Sequence, residues 1–253
     1  MKHAFRYVVS EAPAPGDRLV LADRDSHHLL RVVRRRPGDL VELIDGSGRS
    51  WPAVVCESDD LAVVEVGEPR PGPARSGVTL YVGLLDSNRL DGLVEKASEL
   101  GVDRMVVFVS QRAKRVPEPD AWRRRRARLR RVTESAARQA GQGFLPSVDG
   151  LMGFEEALEE IPAGQGLLVD SRGGSSLAHA LVSPDLRRAC LLVGPEAGFS
   201  DAEVDLATGR GARVCGLGAA TLRSETAALV AATLALDALG HLAPDGGSPG
   251  PAA

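Results

Sequence analysis

LLVGPEAGFSDAEV, Leu191 to Val204, decides how the second half of this chain is built. An apolar run of buried-strand character, beginning at Ala189, ends in Gly-Pro-Glu-Ala-Gly, and a helix follows directly. The helix start carries two marks. Ser200 and Glu203 have capping-box spacing, and Phe199 can staple to Val204 across the cap. In an open α/β sheet, ligands bind at the carboxyl ends of strands. Gly194 and Gly198 leave the backbone accessible there, so its N–H and C=O groups can meet an adenine edge. The same residues also suit a plain strand-to-helix turn that merely needs glycines.

CGLGAATLRSETAALV, Cys215 to Val230, repeats the pattern: a buried strand, glycines, then a helix. Here Arg223 and Glu225 stand charged inside apolar surroundings. The spacing superficially resembles a dinucleotide loop, but the third glycine is missing and no acidic residue follows at the usual distance, which argues against a Rossmann dehydrogenase. The bland alternative for Arg223 and Glu225 is a helix-start ion pair, worth little if exposed.

Outward from these motifs the chain alternates strands with helices. VTLYVGLL (Val78 to Leu85) and RMVVFVS (Arg104 to Ser110) read as strands, as do GLLVD (Gly166 to Asp170) and GARVCGLG. Between the first two, Leu90, Leu93, Val94, Ala97 and Leu100 fall at helical spacing, with Gly101 as the stop. A long helix is expected from about Trp122 to Ala140. The last helix, SETAALVAATLALDAL, is apolar on nearly every side, which asks for burial. Such alternation implies an α/β fold with a parallel sheet covered on both faces.

EPRPGPARSG, Glu68 to Gly77, is the best linker in the chain. Residues 1–70 therefore form a first domain, 71–77 a linker, 78–242 a second domain, and 243–253 a tail expected to be disordered. In the first domain LVLA, DLVELID, WPAVVCES and LAVVEVGE are strand signals, and DGSG (Asp45 to Gly48) is a hairpin turn. SHHLLRVVRR reads as a short helix capped by Ser26 and ended by Pro37 and Gly38. A compact, mostly antiparallel barrel fits. His27 and His28 are expected to be structural.

Composition excludes several classes. No apolar run is long and uncharged enough to cross a membrane, and the N-terminus lacks a signal-peptide pattern, so cytoplasmic residence is expected. Cys56, Cys190 and Cys215 form no CxxC and lie near no histidine at metal-ligand spacing. They read as small buried hydrophobes, and no metal is expected. The net charge of −3 hides clustered arginine. One block runs from Arg31 to Arg36. Another places seven arginines in nine residues from Arg123 to Arg131, with hardly an acid among them. Their mutual repulsion would be relieved by an anionic partner, so Arg124, Arg125 and Arg128, and with them Arg31, Arg34 and Arg35, are candidate RNA contacts. Leu129, Val132, Ala136 and Ala140 would be the packing stripe of that helix.

GPEAGFS and LGAATLRSETAAL together resemble the two C-terminal motifs of the family that methylates N3 of a uridine in 16S ribosomal RNA, a branch of the SPOUT superfamily. NRLDGLVEKASELGVDRMVVFVSQRA resembles its first Rossmann-like segment, and RRVTESAARQAGQGFLPSV its central helix and following strand. HHLLRVVRRRPGDLVELIDGSG resembles its N-terminal PUA-like barrel. The chain departs from the family pattern at Ala197, where glycine is commoner, at Ala219 and Ala220, where arginine or proline is usual, and in lacking a lysine just before Asn88.

The resemblance implies a PUA-like β-barrel followed by a SPOUT domain with a C-terminal trefoil knot. It implies bent S-adenosylmethionine (SAM) in the knot loops, held by Val193, Gly194, Pro195, Glu196, Gly198, Leu217, Gly218, Leu222, Arg223, Ser224 and Thr226. It also implies a homodimer with the last helix at its interface, and ribosomal RNA of the small subunit as partner. Methyl transfer would be direct. Arg223 would stabilise charge on the base oxygens, and Glu225 would accept the N3 proton or orient Arg223. Two alternatives stay open: a SPOUT enzyme acting on another RNA atom such as a ribose 2′-oxygen, and a non-catalytic RNA-binding assembly factor.

Overall fold

The computed structural model describes residues 5–58, 60–71, 74–113, 115–140, 142, 144–182 and 186–242. The expected tail, 243–253, and two residues of the expected linker lie outside them. The chain forms two compact units, residues 1–74 with 137–145, and residues 75–136 with 146–253.

The first unit contains β1 (Phe5–Val8), β2 (Arg18–Val20), α1 (Asp23–His27), β3 (Leu40–Ile44), β4 (Arg49–Ser58), β5 (Ala62–Val66) and β6 (Arg70–Pro71). The sheet runs β1-β3-β4-β5-β2, with β6 on β4. Only β1–β3 is parallel among these pairings. The period-2 pattern buries Val41 and Leu43 of β3 and Ala53 and Val55 of β4 around Trp51 and Tyr7. DGSG makes the expected turn, with Gly46 and Gly48 at φ 74° and 101° and Asp45 accepting from the Ser47 N–H at 2.8 Å. Cys56 is only half-buried, contrary to expectation, because it faces outward on β4.

The first helix starts earlier than Ser26. That residue is fully buried inside α1, where its hydroxyl donates to Leu21 O (2.9 Å) and accepts from the Ala62 N–H (3.1 Å). Satisfying that buried strand end outcompetes capping. After α1 the backbone widens into a π turn, His28–Val32, closed by Val33 N–H on His28 O at 2.9 Å.

The second unit contains β7 (Val78–Gly83), α2 (Ser87–Leu100), β8 (Arg104–Val109), α3 (Pro119–Ala140), whose last residues belong to the first unit, β9 (Ser147–Gly153) and α4 (Phe154–Glu159). It continues with β10 (Gly166–Val169), β11 (Ser175–Ser176), α5 (Leu177–Leu181), β12 (Ala189–Val193), α6 (Asp201–Gly209), β13 (Arg213–Gly216) and α7 (Ser224–Ala238). All seven strands are parallel, in the order β11-β13-β10-β12-β7-β8-β9. Both faces are covered, as expected. Leu191 and Val193 join one core with residues of α2, α3, α5 and α7. Cys190 and Leu192 point the other way, into a core with α4, α6 and the rings of Phe108, Phe154 and Phe199. Each fully buried leucine here contributes about 1.5–3 kcal/mol of transfer free energy.

Local signals explain the ends. Asp86 caps α2 by accepting from the Asn88 and Arg89 N–H groups, and Gly101 stops it at φ 92°. α3 opens at Pro119, three residues before the expected start, since proline suits a first turn that needs no N–H donor. Its buried stripe carries Leu129, Ala136 and Ala137, while Ala140 is exposed. α7 buries Ala228, Ala231, Ala232, Ala235 and Leu236 within its own unit and leaves Val230 36% exposed.

Candidate functional site

The loops after β10, β12 and β13 meet at the carboxyl edge of the sheet and enclose a cavity of about 390 Å³. Its wall includes Val169 and Asp170, then Val193, Gly194, Pro195, Glu196, Gly198 and Phe199, then Leu217, Gly218, Leu222, Arg223 and Ser224, and finally Arg89 from α2. All the residues expected to hold a cofactor are there except Thr226, which is exposed on α7 and outside the lining.

The two glycines of the first motif do different work. A Cβ on Gly194 would lie 3.1 Å from the Phe199 ring, so glycine lets the loop close over that ring. Gly198 would meet nothing within 4 Å; it is required by its φ of 68°, in a turn closed by its own N–H on Pro195 O at 2.8 Å. The capping box forms as expected, and its carboxylate does more than cap. Glu203, 2% exposed, also accepts from the Gln111 N–H (2.9 Å) and the Ser110 hydroxyl (3.2 Å), tying the end of β8 to the cavity loop. Arg112 adds a bond to Ala197 O at 2.9 Å.

Arg223 stands at the N-cap of α7, exposed on the cavity wall and without an acidic partner among the described residues. The helix-start ion pair that was the bland alternative is not formed: Glu225 turns toward Arg89, with Oε1 3.9 Å from Nε. The other carboxylate oxygen of Glu225, Oε2, is buried with no hydrogen-bond partner. Arg89 also contacts Glu196 (2.5 Å) and Asp86 (3.1 Å), so one guanidinium joins a carboxylate from each motif. Sequence reasoning missed Arg89 and Asp170. A signal existed for both: each follows a strand at the same carboxyl edge. Arg172 grips Asp170 at 2.8 Å through two nitrogens and reaches Asp201 (2.6 Å) and Phe199 O (3.1 Å). Those hydrogen bonds hold the Asp170 carboxyl below its ordinary pKa.

The arginine helix differs from its expected character. Arg123 pairs with Asp120, Arg126 with Asp149, Arg128 with Asp91 and Arg130 with Glu134. Arg125 is a clasp, its side chain 17% exposed, donating to Ser87 O (2.8 Å) and Asp86 O (3.2 Å). Carboxylates thus relieve the repulsion, two from the helix itself and two, Asp91 and Asp149, distant in sequence, and Arg124 and Arg131 alone lack a partner among the described residues of that block. In the first unit Arg31 and Arg34 are exposed and Arg35 is half-buried.

No cysteine lines the cavity, and burial pushes the Cys190 thiol up to about 11. Among the described residues no group of three or more metal-ligating side chains occurs, and no helix is long and apolar enough to cross a membrane.

A doubly covered parallel sheet with two glycine loops closing one cavity is matched by a known class. Residues 73–236 match the RNA methyltransferase domain and residues 21–66 the RNA methyltransferase PUA domain, and the chain belongs to that methyltransferase family. Within it, the chain is 31% identical over 236 residues to Ribosomal RNA small subunit methyltransferase E of Mycobacterium tuberculosis, covering 90% of this chain and 89% of that protein. The protein of the same name from Bacillus subtilis is 26% identical, with 88% and 90% covered. Among solved structures, Ribosomal RNA small subunit methyltransferase E from Neisseria gonorrhoeae bound to S-adenosyl methionine superposes with a TM-score of 0.82 at 27% identity, covering 91% of this chain and 96% of that one.

Proposed function

We propose that this chain methylates N3 of a uridine in small-subunit ribosomal RNA, with SAM as methyl donor. The observation that carries the reading is the convergence of both C-terminal motifs on one cavity, in a chain whose relatives act on that RNA. The cavity suits the cofactor. Its volume lies in the range of small-molecule sites, about 300–1,000 Å³. Val193, Leu217 and Leu222 offer apolar surface, the loop backbone from Gly194 to Gly198 offers hydrogen-bonding groups, and Asp170 and Glu196 offer carboxylates for hydroxyl or ammonium groups. When bound, SAM supplies an electrophilic methyl group.

The chain's own residues must make N3 reactive. That nitrogen carries a proton and is a poor nucleophile until the proton leaves. Arg223, unpaired on the wall, stabilises charge developing on the base oxygens. Glu225 is the candidate to take the proton: its Oε2 has an unused acceptor but is buried and outside the cavity lining, so it must turn outward to reach the base, while Arg89 lies 3.9 Å from the other oxygen. Arg89 acts as a positioning residue. Direct transfer needs no enzyme nucleophile, in keeping with thiols that burial keeps protonated.

The rest of the assignment belongs to the same proposal: a trefoil knot formed by the C-terminal segment, a cytoplasmic homodimer using α7, and RNA contacts from Arg124 and the Arg31, Arg34 and Arg35 block. The test is methylation of small subunits lacking the modification, with the product nucleotide mapped by mass spectrometry. Wild type is expected to place one methyl on a uridine N3, and Arg223→Ala to slow single-turnover transfer by about 100-fold or more. A methyl found on a ribose oxygen, or a chain that binds no SAM, overturns the assignment.

A further inference from the structure

A cluster in the first unit has no part in the cofactor cavity. Phe5, on β1, is 37% exposed. His28, at the start of the π turn, is exposed and meets Phe5 edge-on, with centroids 6.1 Å apart. Tyr7 lies beneath, 1% exposed, with its hydroxyl 3.2 Å from His28 Nδ1. The Tyr7 hydroxyl and His28 Nδ1 share a hydrogen bond whose direction depends on the imidazole tautomer, and burial pushes the Tyr7 phenol up to about 12. The Arg35 guanidinium lies 5.2 Å above the Phe5 ring, and its Nε is buried without a partner. Asp25, which faces Tyr7, is taken by Arg138 at 2.7 Å.

Charge is distributed differently here than on α3. There, neighbouring carboxylates answer most of the arginines. On the turn after α1, Arg31, Arg34 and Arg36 have no acidic side chain paired with them among the described residues. The backbone is also unusual. A π turn is rare and concentrates at functional sites. Arg34, at φ 57°, is the one non-glycine residue described with positive φ.

We infer that Phe5, His28 and Arg35 form a platform for an unstacked base of single-stranded RNA, with Arg31, Arg34 and Arg36 holding the flanking phosphates. Aromatic rings and guanidinium planes are the surfaces on which splayed bases stack, and sequence-specific RNA recognition targets such bases. The exposed His28 imidazole offers a hydrogen-bonding nitrogen to a base edge. The inference rests on RNA being the substrate and deepens it by naming where, and in what form, the strand is held.

The experiment measures full-chain affinity for a short single-stranded RNA and for a duplex of the same sequence, by fluorescence anisotropy across a salt series. Phe5→Leu is expected to weaken single-strand binding by about 5- to 150-fold, the range of one lost base–aromatic stack, with the salt slope unchanged. Phe5→Tyr, which keeps the stacking face, should bind as wild type does. Arg31→Gln should flatten the salt slope by about 0.7. Duplex binding should be insensitive to Phe5→Leu. The platform is overturned if Phe5→Leu binds the single strand as wild type does, if it weakens duplex and single strand alike, or if Phe5→Tyr fails as badly as Phe5→Leu. Wild type that methylates ribosomal RNA while Phe5→Leu binds normally sinks the platform alone. Wild type that neither binds SAM nor methylates sinks the methyltransferase assignment first.

Discussion

Gly83→Ala is the sharpest probe of the cavity loop, although Gly83 does not line the cavity. It is the last residue of β7, and a Cβ there would stand 2.5 Å from both N and Cδ of Pro195 and 3.1 Å from the Gly194 carbonyl carbon. Ordinary contact begins at 3.4 Å, so the loop would have to retreat by about 0.9 Å. It has little room to yield. The Phe199 ring is buried beside Gly194, Arg112 holds Ala197 O, and the Gly198 N–H closes the turn on Pro195 O. Overpacking of this kind costs about 1–3 kcal/mol. A ligand-holding group displaced by nearly 1 Å loses on the order of 100-fold in function. Calorimetric titration with SAM and denaturant unfolding read the two effects. The paired control is Gly92→Ala, exposed on α2 with nothing within 4 Å of the added Cβ. It should leave SAM binding intact and stabilise by about 0.5–1 kcal/mol. If Gly83→Ala keeps both the wild-type unfolding midpoint and wild-type SAM affinity, the loop is not fixed by packing and the reasoning fails.

Arg89→Ala should slow single-turnover methyl transfer by about 100-fold by freeing Glu196 and Glu225, and Arg89→Lys should recover much of it; equal rates for all three would remove Arg89 from the mechanism. Asp170→Asn tests the carboxylate held by Arg172. Its folded pKa lies below the ordinary value of 3.8, so its stabilisation is present above that value and is lost as pH falls through the folded one. The variant should therefore melt below wild type at neutral pH, with the gap closing in acid, and a gap independent of pH would contradict this. Arg125→Glu should lower the melting temperature, since that guanidinium clasps the start of α2, whereas Arg124→Glu should leave it unchanged and weaken RNA binding; the reverse pattern would mean that the two roles are exchanged.

Features written in neighbouring residues were legible in the sequence. The capping box of Ser200 and Glu203, the stop at Gly101, the turn at Asp45 to Gly48 and the double-sided burial of β12 each follow from spacings of a few positions. Partnerships across long separations were hidden. Asp91 and Asp149 meet the arginines of α3 only after β7, α2 and β9 are in place, so the helix reads as more cationic than it is. Glu225 looks like the partner of Arg223 two residues away, yet a helix start points those side chains apart and Arg89 takes the carboxylate. Ser26 has the spelling of a cap, but a buried Ala62 N–H needs its oxygen more. β1 escaped notice because its partner, β3, lies beyond two other elements.

The first unit is completed by residues 137–145, which follow a long stretch of the second. Phe144 and Leu145 lie so close over Gly48 and Gly46 that a Cβ at either glycine would strike them, so this late segment is part of how the DGSG turn is packed. During synthesis, then, the N-terminal sheet emerges unfinished. At about 5–20 residues per second, its missing piece arrives some 4–14 s after residue 74 is added. Over that interval the growing chain presents an uncovered turn to its surroundings, and the two units mature in an interleaved order rather than one after the other.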